Sequence, residues 1–154
     1  MSKKKRLMLT AICLSAALAL VAGLWSPIAQ VFWARHAALS QLGKPYVFAT
    51  AGPESYDCSG LMKYAYARAG IKLAHSTKAV SSDDRYKTID DAARLRLGDL
   101  VFFDTIANST EIDHVGFWLG GGRFVHASSA NKEVMISDFD ERWQERFVFA
   151  KRVL

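Results

Sequence analysis

The chain has 154 residues, 51% hydrophobic and 12% aromatic, enough for one domain with a proper core, which excludes a disordered protein. Its formal charge of +5 invites a nucleic-acid partner, but Lys3, Lys4, Lys5 and Arg6 supply four of the twenty basic side chains. From Leu7 onward sixteen basic residues face fifteen acidic ones, and no Lys/Arg stripe is interleaved with aromatics, which argues against nucleic-acid binding.

After the basic cluster, Leu7 to Trp25 runs nineteen residues without a charge, with Thr10 and Ser15 the clearly polar ones. Residues 1–27 therefore read as a signal peptide or a membrane anchor, and 28–154 as the working domain. Both forms stay open, because Val21-Ala22-Gly23 offers a small-residue cleavage site while the apolar run exceeds the ~7–15 residues of an ordinary signal core. Either way the basic end stays cytoplasmic. The domain is expected outside the inner membrane, in the periplasm or cell envelope, touching membrane only through residues 7–25. Cys13 lies too early in the apolar run to be a lipidation site.

Ile28, Val31, Phe32, Leu39 and Leu42 recur at helical spacing and stop at Gly43, which predicts an amphipathic helix joining the leader to the domain. His36 on it reads as a surface or packing residue. Lys44-Pro45-Tyr46 opens a loop that delivers Asp57-Cys58-Ser59-Gly60 to a run of helix formers closed by Gly70. A thiol in the first turn of a helix meets the positive end of its dipole, which favours the nucleophilic thiolate. Outside the leader Cys58 has no partner for a disulfide, and a free thiol in an oxidising compartment must be buried or used.

Thr77 to Lys87 carries charges without a hydrophobic period and reads as a surface connection with little or no helix. Ile89 to Leu97 is expected to form a helical turn or two, closed by Gly98. The pattern then changes to strands: Leu100 to Phe103, His114 to Leu119, Arg123 to Ala127, Glu133 to Ile136, and Phe147 to Val153 after a short turn or helix bearing an inward Trp143. Helices first and an antiparallel sheet after is an α+β pattern. Trp118, Trp143 and Met135 read as packing.

Gly120-Gly121-Gly122 makes the second and third strands a hairpin. In an antiparallel pair, residues share a face when their numbers sum to the parity of an opposed pair. A turn centred on Gly120 or Gly121 gives an even sum, and 114 with 126 is even, so His114 and His126 would share a face, opposite or one diagonal step apart. A turn centred between two residues would separate them.

A cysteine heading a helix, with two histidines on a strand pair, is the layout for acyl transfer. Cys58 would attack an amide carbonyl, His114 take its proton and return it to the leaving amine, and His126 hold the His114 ring. Backbone N–H groups at the helix start could bind the oxyanion. Asp113 adjoins His114 on a strand and should point to the other face, a poor triad partner.

These residues resemble a known family. Asp57-Cys58-Ser59-Gly60, Gly98-Asp99-Leu100-Val101-Phe102-Phe103, Asp113-His114-Val115-Gly116 and Arg123-Phe124-Val125-His126-Ala127 look like four successive signatures of the NlpC-type bacterial cell-wall cysteine peptidases, most like murein endopeptidases of the MepS kind. The resemblance runs from about Leu39 to the C-terminus. It implies a papain-like α+β fold and hydrolysis of peptide bonds in peptidoglycan stems, often beside diaminopimelate. It also implies a thioester acyl-enzyme on Cys58, with His114 as base and His126 as the orienting third residue. Tyr46 matches the family's tyrosine near the oxyanion site, and Asp57 and Ser59 flank the nucleophile where substrate polar groups bind.

Two departures stand out. Leu73-Ala74-His75-Ser76 replaces a family Leu-Pro-Arg-Ser, so His75 stands where an arginine fork would meet a carboxylate and is a candidate substrate contact. Ala49 and Thr50 replace paired glycines. Other classes stay open: a zinc-dependent hydrolase with Cys58, His114 and His126 as ligands, or a non-catalytic wall-binding scaffold. The peptidase reading needs no cofactor or metal. Its partner is the stem peptide, and an unrestrained wall hydrolase would lyse its cell, so control by an unidentified regulatory protein or by proteolysis is expected.

Overall fold

The computed structural model describes residues 26–106 and 111–154; the predicted leader, apart from its last residues, lies outside them. Among the described residues no helix is long and apolar enough to cross a membrane.

Helix α1 spans Pro27–Leu39, with Pro27 in its first turn and the Ser26 hydroxyl accepting a hydrogen bond from the Ala29 amide. The helix forms where expected, but its buried side is Ala34, Ala37 and Ala38 rather than the predicted stripe, and Ile28, Phe32 and Leu42 are exposed. The small side chains let α1 lie close against α2, a contact that bulky residues at those positions would hold apart. Helix α2 spans Cys58–Arg68 and buries Leu61, Met62, Ala65 and Tyr66. Its entry is pinned by Asp57, whose Oδ1 accepts from the Gly60 amide at 2.7 Å. Gly60 has no room for a side chain, since a Cβ there would stand 2.0 Å from the Thr50 carbonyl oxygen. The chain crossing at Thr50 therefore locks the loop before Cys58 onto the helix start.

Two expectations for the middle of the chain are corrected. Within the predicted surface connection lies a short helix, α3, Thr77–Ser81, capped by the Ser76 hydroxyl, and the stretch ends in β1, Lys87–Ile89. Ile89 is a buried strand residue, and the expected helical turns shrink to a 3-10 turn over Ala92–Arg94. Both elements are too short for a periodic pattern to reveal them.

The remaining strands are β2 Leu100–Phe103, β3 His114–Gly120, β4 Arg123–Ser128, β5 Glu133–Asp138 and β6 Phe147–Arg152, with helix α4, Glu141–Arg146, before β6. They form one antiparallel sheet in the order β1-β6-β2-β3-β4-β5. One face carries Leu100, Phe102, Phe117 and Val125 against the helices, and the other packs Phe103, Trp118 and Phe124 with Ile89 and Ala150. Asp99 is nearly sealed from solvent, and its carboxylate takes two hydrogen bonds from the Arg152 guanidinium, at 2.7 and 2.8 Å. The Gly98-Asp99 signature is thus explained structurally: it clamps the last strand to the start of β2.

The hairpin reaches the expected result by a different route. Gly120 pairs with Arg123, so the turn is centred between Gly121 and Gly122, both at positive φ, the case that would part the histidines. A register shift between Trp118 and Gly120 leaves Leu119 as an extra residue, and the ladder beyond it pairs Trp118 with Phe124 and Phe117 with Val125. Continuing that register sets Gly116 opposite His126 and His114 one diagonal step away. The bulge restores the parity.

Candidate active site

Cys58 is the first residue of α2 and is 8% exposed. Its Sγ lies 3.5 Å from the Thr77 hydroxyl and 3.9 Å from the Asp113 carbonyl oxygen. Burial pushes the thiol above its ordinary pKa; the Thr77 contact opposes this, the Asp57 charge adds to it, and the Val115 and Ser59 amides oppose it in turn. The direction is opposite to the depressed thiol expected from the helix start, and desolvation is its leading cause, so the resting sulfur is S–H.

The histidines meet as a pair. His114 Nε2 and His126 Nδ1 are 2.8 Å apart, and His126 Nε2 is 2.9 Å from the Ser137 hydroxyl. Trp143 covers both rings, with centroids 5.8 Å from His114 and 5.3 Å from His126. Gly116 makes room on the same face, since a Cβ there would sit 2.6 Å from the Phe124 ring, which itself stacks 4.9 Å from His126. Burial lowers the His114 pKa to about 4, with the Asp113 carboxylate opposing it, and lowers that of His126 through burial and then the neighbouring imidazole. Both rings are neutral at ordinary pH.

Cys58 and His114, the expected nucleophile and base, are carried by different faces of the sheet. His114 pairs with Phe103, so its side chain belongs to the aromatic face, while α2 packs on the other. They approach at the end of the sheet, where Sγ contacts the backbone on both sides of His114, at Asp113 and Val115. Sγ bonds Thr77 and the Asp113 carbonyl rather than the His114 ring. Asp113 itself turns away as expected, its carboxylate held by the Thr105 amide and hydroxyl at 2.9 and 3.0 Å.

Tyr46, Asp57, Ser59 and His75 join Cys58 around a cleft of about 340 Å³. Burial and then the nearby Cys58 and Asp57 raise the Tyr46 pKa, so its hydroxyl keeps its proton. Asp57 is fully engaged: Oδ1 takes the Gly60 amide and the Ser59 hydroxyl at 3.0 Å, and Oδ2 meets His75 Nε2 at 2.9 Å. His75 is therefore tied to the residue before the nucleophile rather than standing free on a loop. Ala49, also on this cleft, sits at φ +61°, in the left-handed region where glycine is preferred. Thr77 and Ser137 escape sequence reading, because a hydroxyl in a loop or strand carries no periodic signal. Trp143 was legible as packing, but not as the cover of the histidine pair.

No three His, Cys, Asp or Glu side chains among the described residues are grouped to hold a metal. Cys58, His114 and His126 do not form one donor set, and the zinc reading loses its geometric basis.

The chain is 35% identical over 122 residues to the murein DD-endopeptidase MepH of Escherichia coli, covering 75% of this chain and 43% of that protein. It is 39% identical over 124 residues to the probable endopeptidase YafL of the same organism, covering 77% and 48%. The chain thus spans less than half the length of these curated relatives. The structure of an NLP/P60-family protein similar to lipoprotein, from Staphylococcus aureus, superposes with a TM-score of 0.70 at 34% identity, covering 81% of this chain and 41% of that one. The match to the NlpC/P60 family extends over residues 43–152, from the turn after α1 to the end of β6, and on that extent this chain belongs to the NlpC/P60 family.

Proposed function

We propose that this protein is a peptidoglycan endopeptidase that hydrolyses amide bonds in cell-wall stem peptides outside the cytoplasmic membrane, released from its leader or held by it. The observation that carries this reading is the neutral, desolvated pair of His114 on β3 and His126 on β4, with a buried, disulfide-free thiol touching the backbone on either side of His114. If His114 Nε2–H donates to His126 Nδ1, then His126 Nε2–H donates to Ser137, and His114 Nδ1 carries a lone pair. The opposite chain of tautomers would place a proton on Nδ1 and make it useless as a base. A serine hydroxyl can donate or accept, and this mechanism uses the chain in which Ser137 accepts.

In this mechanism Nδ1 takes the Cys58 proton as sulfur attacks the scissile carbonyl, with the imidazole and thiol closing up around bound substrate. The C–N bond breaks as Nδ1 returns that proton to the leaving amine, which leaves a thioester. Water, deprotonated by the same nitrogen, then releases the acid and restores S–H. The helix-start amide of Ser59, with the protonated Tyr46 hydroxyl across the cleft, supplies donors for the oxyanion. Asp57, held by Ser59 and His75, offers a polar wall for the acyl half.

The test is to incubate the full chain and its Cys58→Ala variant with purified peptidoglycan and weigh the released fragments. New amine and carboxylate ends that vanish in the variant establish the peptidase. Wall binding without cleavage by either protein would replace it with the scaffold reading.

A further inference from the structure

A second cleft, of about 380 Å³, lies behind the histidine pair, and its composition opposes that of the first. The Cys58 cleft is lined by Asp57 and Asp113 and by no lysine or arginine, with the Asp113 carboxylate turned toward Thr105. The second is lined by His114, His126, Ser137, Trp143 and two arginines, Arg142 and Arg146, with no acidic residue. The two clefts abut at consecutive residues, Asp113 lining one and His114 the other.

We propose that this second cleft receives the leaving-group half of the substrate, and that Arg142 and Arg146 hold a carboxylate on it. The inference rests on the endopeptidase reading above and adds a subsite to it. The group that protonates the departing nitrogen lines this cleft, so the departing half must come within reach of it. Arg142 and Arg146 stand one turn apart on α4, on either side of the Trp143 that covers the pair. Among the described residues neither guanidinium is in an ion pair; the three pairs present are His75–Asp57, Arg85–Asp83 and Arg152–Asp99. Both imidazoles are neutral, so the charged side chains that line the cleft are the two arginines, while the Asp113 carboxylate, which keeps its charge, sits against Thr105 on the cleft wall. Asn131 adds a donor, because the Ser128 hydroxyl binds its Oδ1 at 3.1 Å and leaves its amide hydrogens for other partners.

A planar guanidinium pair beside neutral donors selects a carboxylate by geometry as well as by charge. The ligand class is an amino acid or short peptide whose newly freed amine lies within about a residue of a free carboxylate. Substrates with that group replaced by a carboxamide keep the hydrogen-bonding shape and lose the charge.

The experiment compares purified peptidoglycan with the same material after its carboxylates are converted to carboxamides, cut by the full chain, by an Arg142→Gln/Arg146→Gln double variant and by the Arg142→Lys/Arg146→Lys double variant. The wild-type chain should favour native over amidated wall by about tenfold or more in initial rate. The glutamine variant should bring that ratio close to one, and the lysine variant should retain most of it. A wild-type ratio near one, or a glutamine variant that slows both substrates equally and keeps the ratio, overturns the subsite while leaving the peptidase intact. Absence of Cys58-dependent cleavage of either material removes the peptidase reading, and the subsite with it.

Discussion

On the helix-covered face of the sheet, Leu100, Phe102, Phe117 and Val125 meet Leu61, Met62 and Tyr66 of α2, whereas on the other face Phe103, Phe124 and Trp143 enclose two imidazoles. The first face positions the nucleophile through backbone: the Asp57 cap, the Thr50 carbonyl over Gly60 and the packed length of α2 fix where Sγ lies. The second positions the base through side chains, by aromatic rings and one serine. Cys58 and His114 are thus supported by separate cores that meet at the end of β3, so damage to one should spare the placement of the other.

Substitutions can break that separation in order of size. Cys58→Ala removes only the nucleophile, and hydrolysis of peptidoglycan should fall by at least about 10³-fold, while the melting temperature moves by no more than a few degrees. A large drop in melting temperature would show that the sulfur belongs to the core instead. Acidification probes the other side. His114 has a folded pKa of about 4 against an ordinary value of 6.5. Its contribution to stability is complete above about pH 6.5 and is lost as pH falls toward 4, because the unfolded chain takes up a proton that the native ring refuses. That window is worth roughly 3 kcal/mol for this ring alone, and a flat stability between pH 7 and 4 in denaturant titrations would contradict a neutral pair.

Trp143→Ala strips the cover from both imidazoles and should cost about 2–4 kcal/mol in chemical denaturation. Alkylation of Cys58 by a small reagent should stay within about twofold of wild type in the folded variant, since Trp143 belongs to the other core. Ser137→Ala deletes the hydroxyl that accepts from His126 in the proposed productive tautomer; kcat/KM should drop about tenfold, with Ser137→Thr restoring most of it. The smallest effect is expected at Ala49, where glycine relieves a left-handed backbone: Ala49→Gly should raise stability by about 0.5–1 kcal/mol, read as a small increase in melting temperature.

The contrast between the faces also explains which parts of the chain were legible. Helix α2, its cap and the five later strands follow from local chemistry, since Asp57, the glycines and the apolar runs act over a few residues. The expected trio of Cys58, His114 and His126 was legible because its signature residues lie in order, and parity brought His114 and His126 together. Yet that parity holds only through a bulge at Leu119, which no local feature of Trp118-Leu119-Gly120 announced. Periodicity gave α1 its extent and the wrong buried side, because Ala34, Ala37 and Ala38 are chosen by the approach of α2 rather than by hydrophobicity. Likewise Thr77–Ser81 and Lys87–Ile89 gain their order from tertiary contacts, β1 from its pairing with β6.

By itself the sequence determined the α+β order and the family, and it pointed to Cys58, His114 and His126 as the expected site. Only the tertiary structure decided which face of the sheet carries the histidine pair, that His75 binds Asp57, and that Ser137 and Trp143 contact that pair. It also decided that the thiol rests neutral. The reason is common to all of these: burial, partner choice and facing depend on residues distant in the chain, and desolvation can reverse what a helix dipole or a spacing rule favours locally.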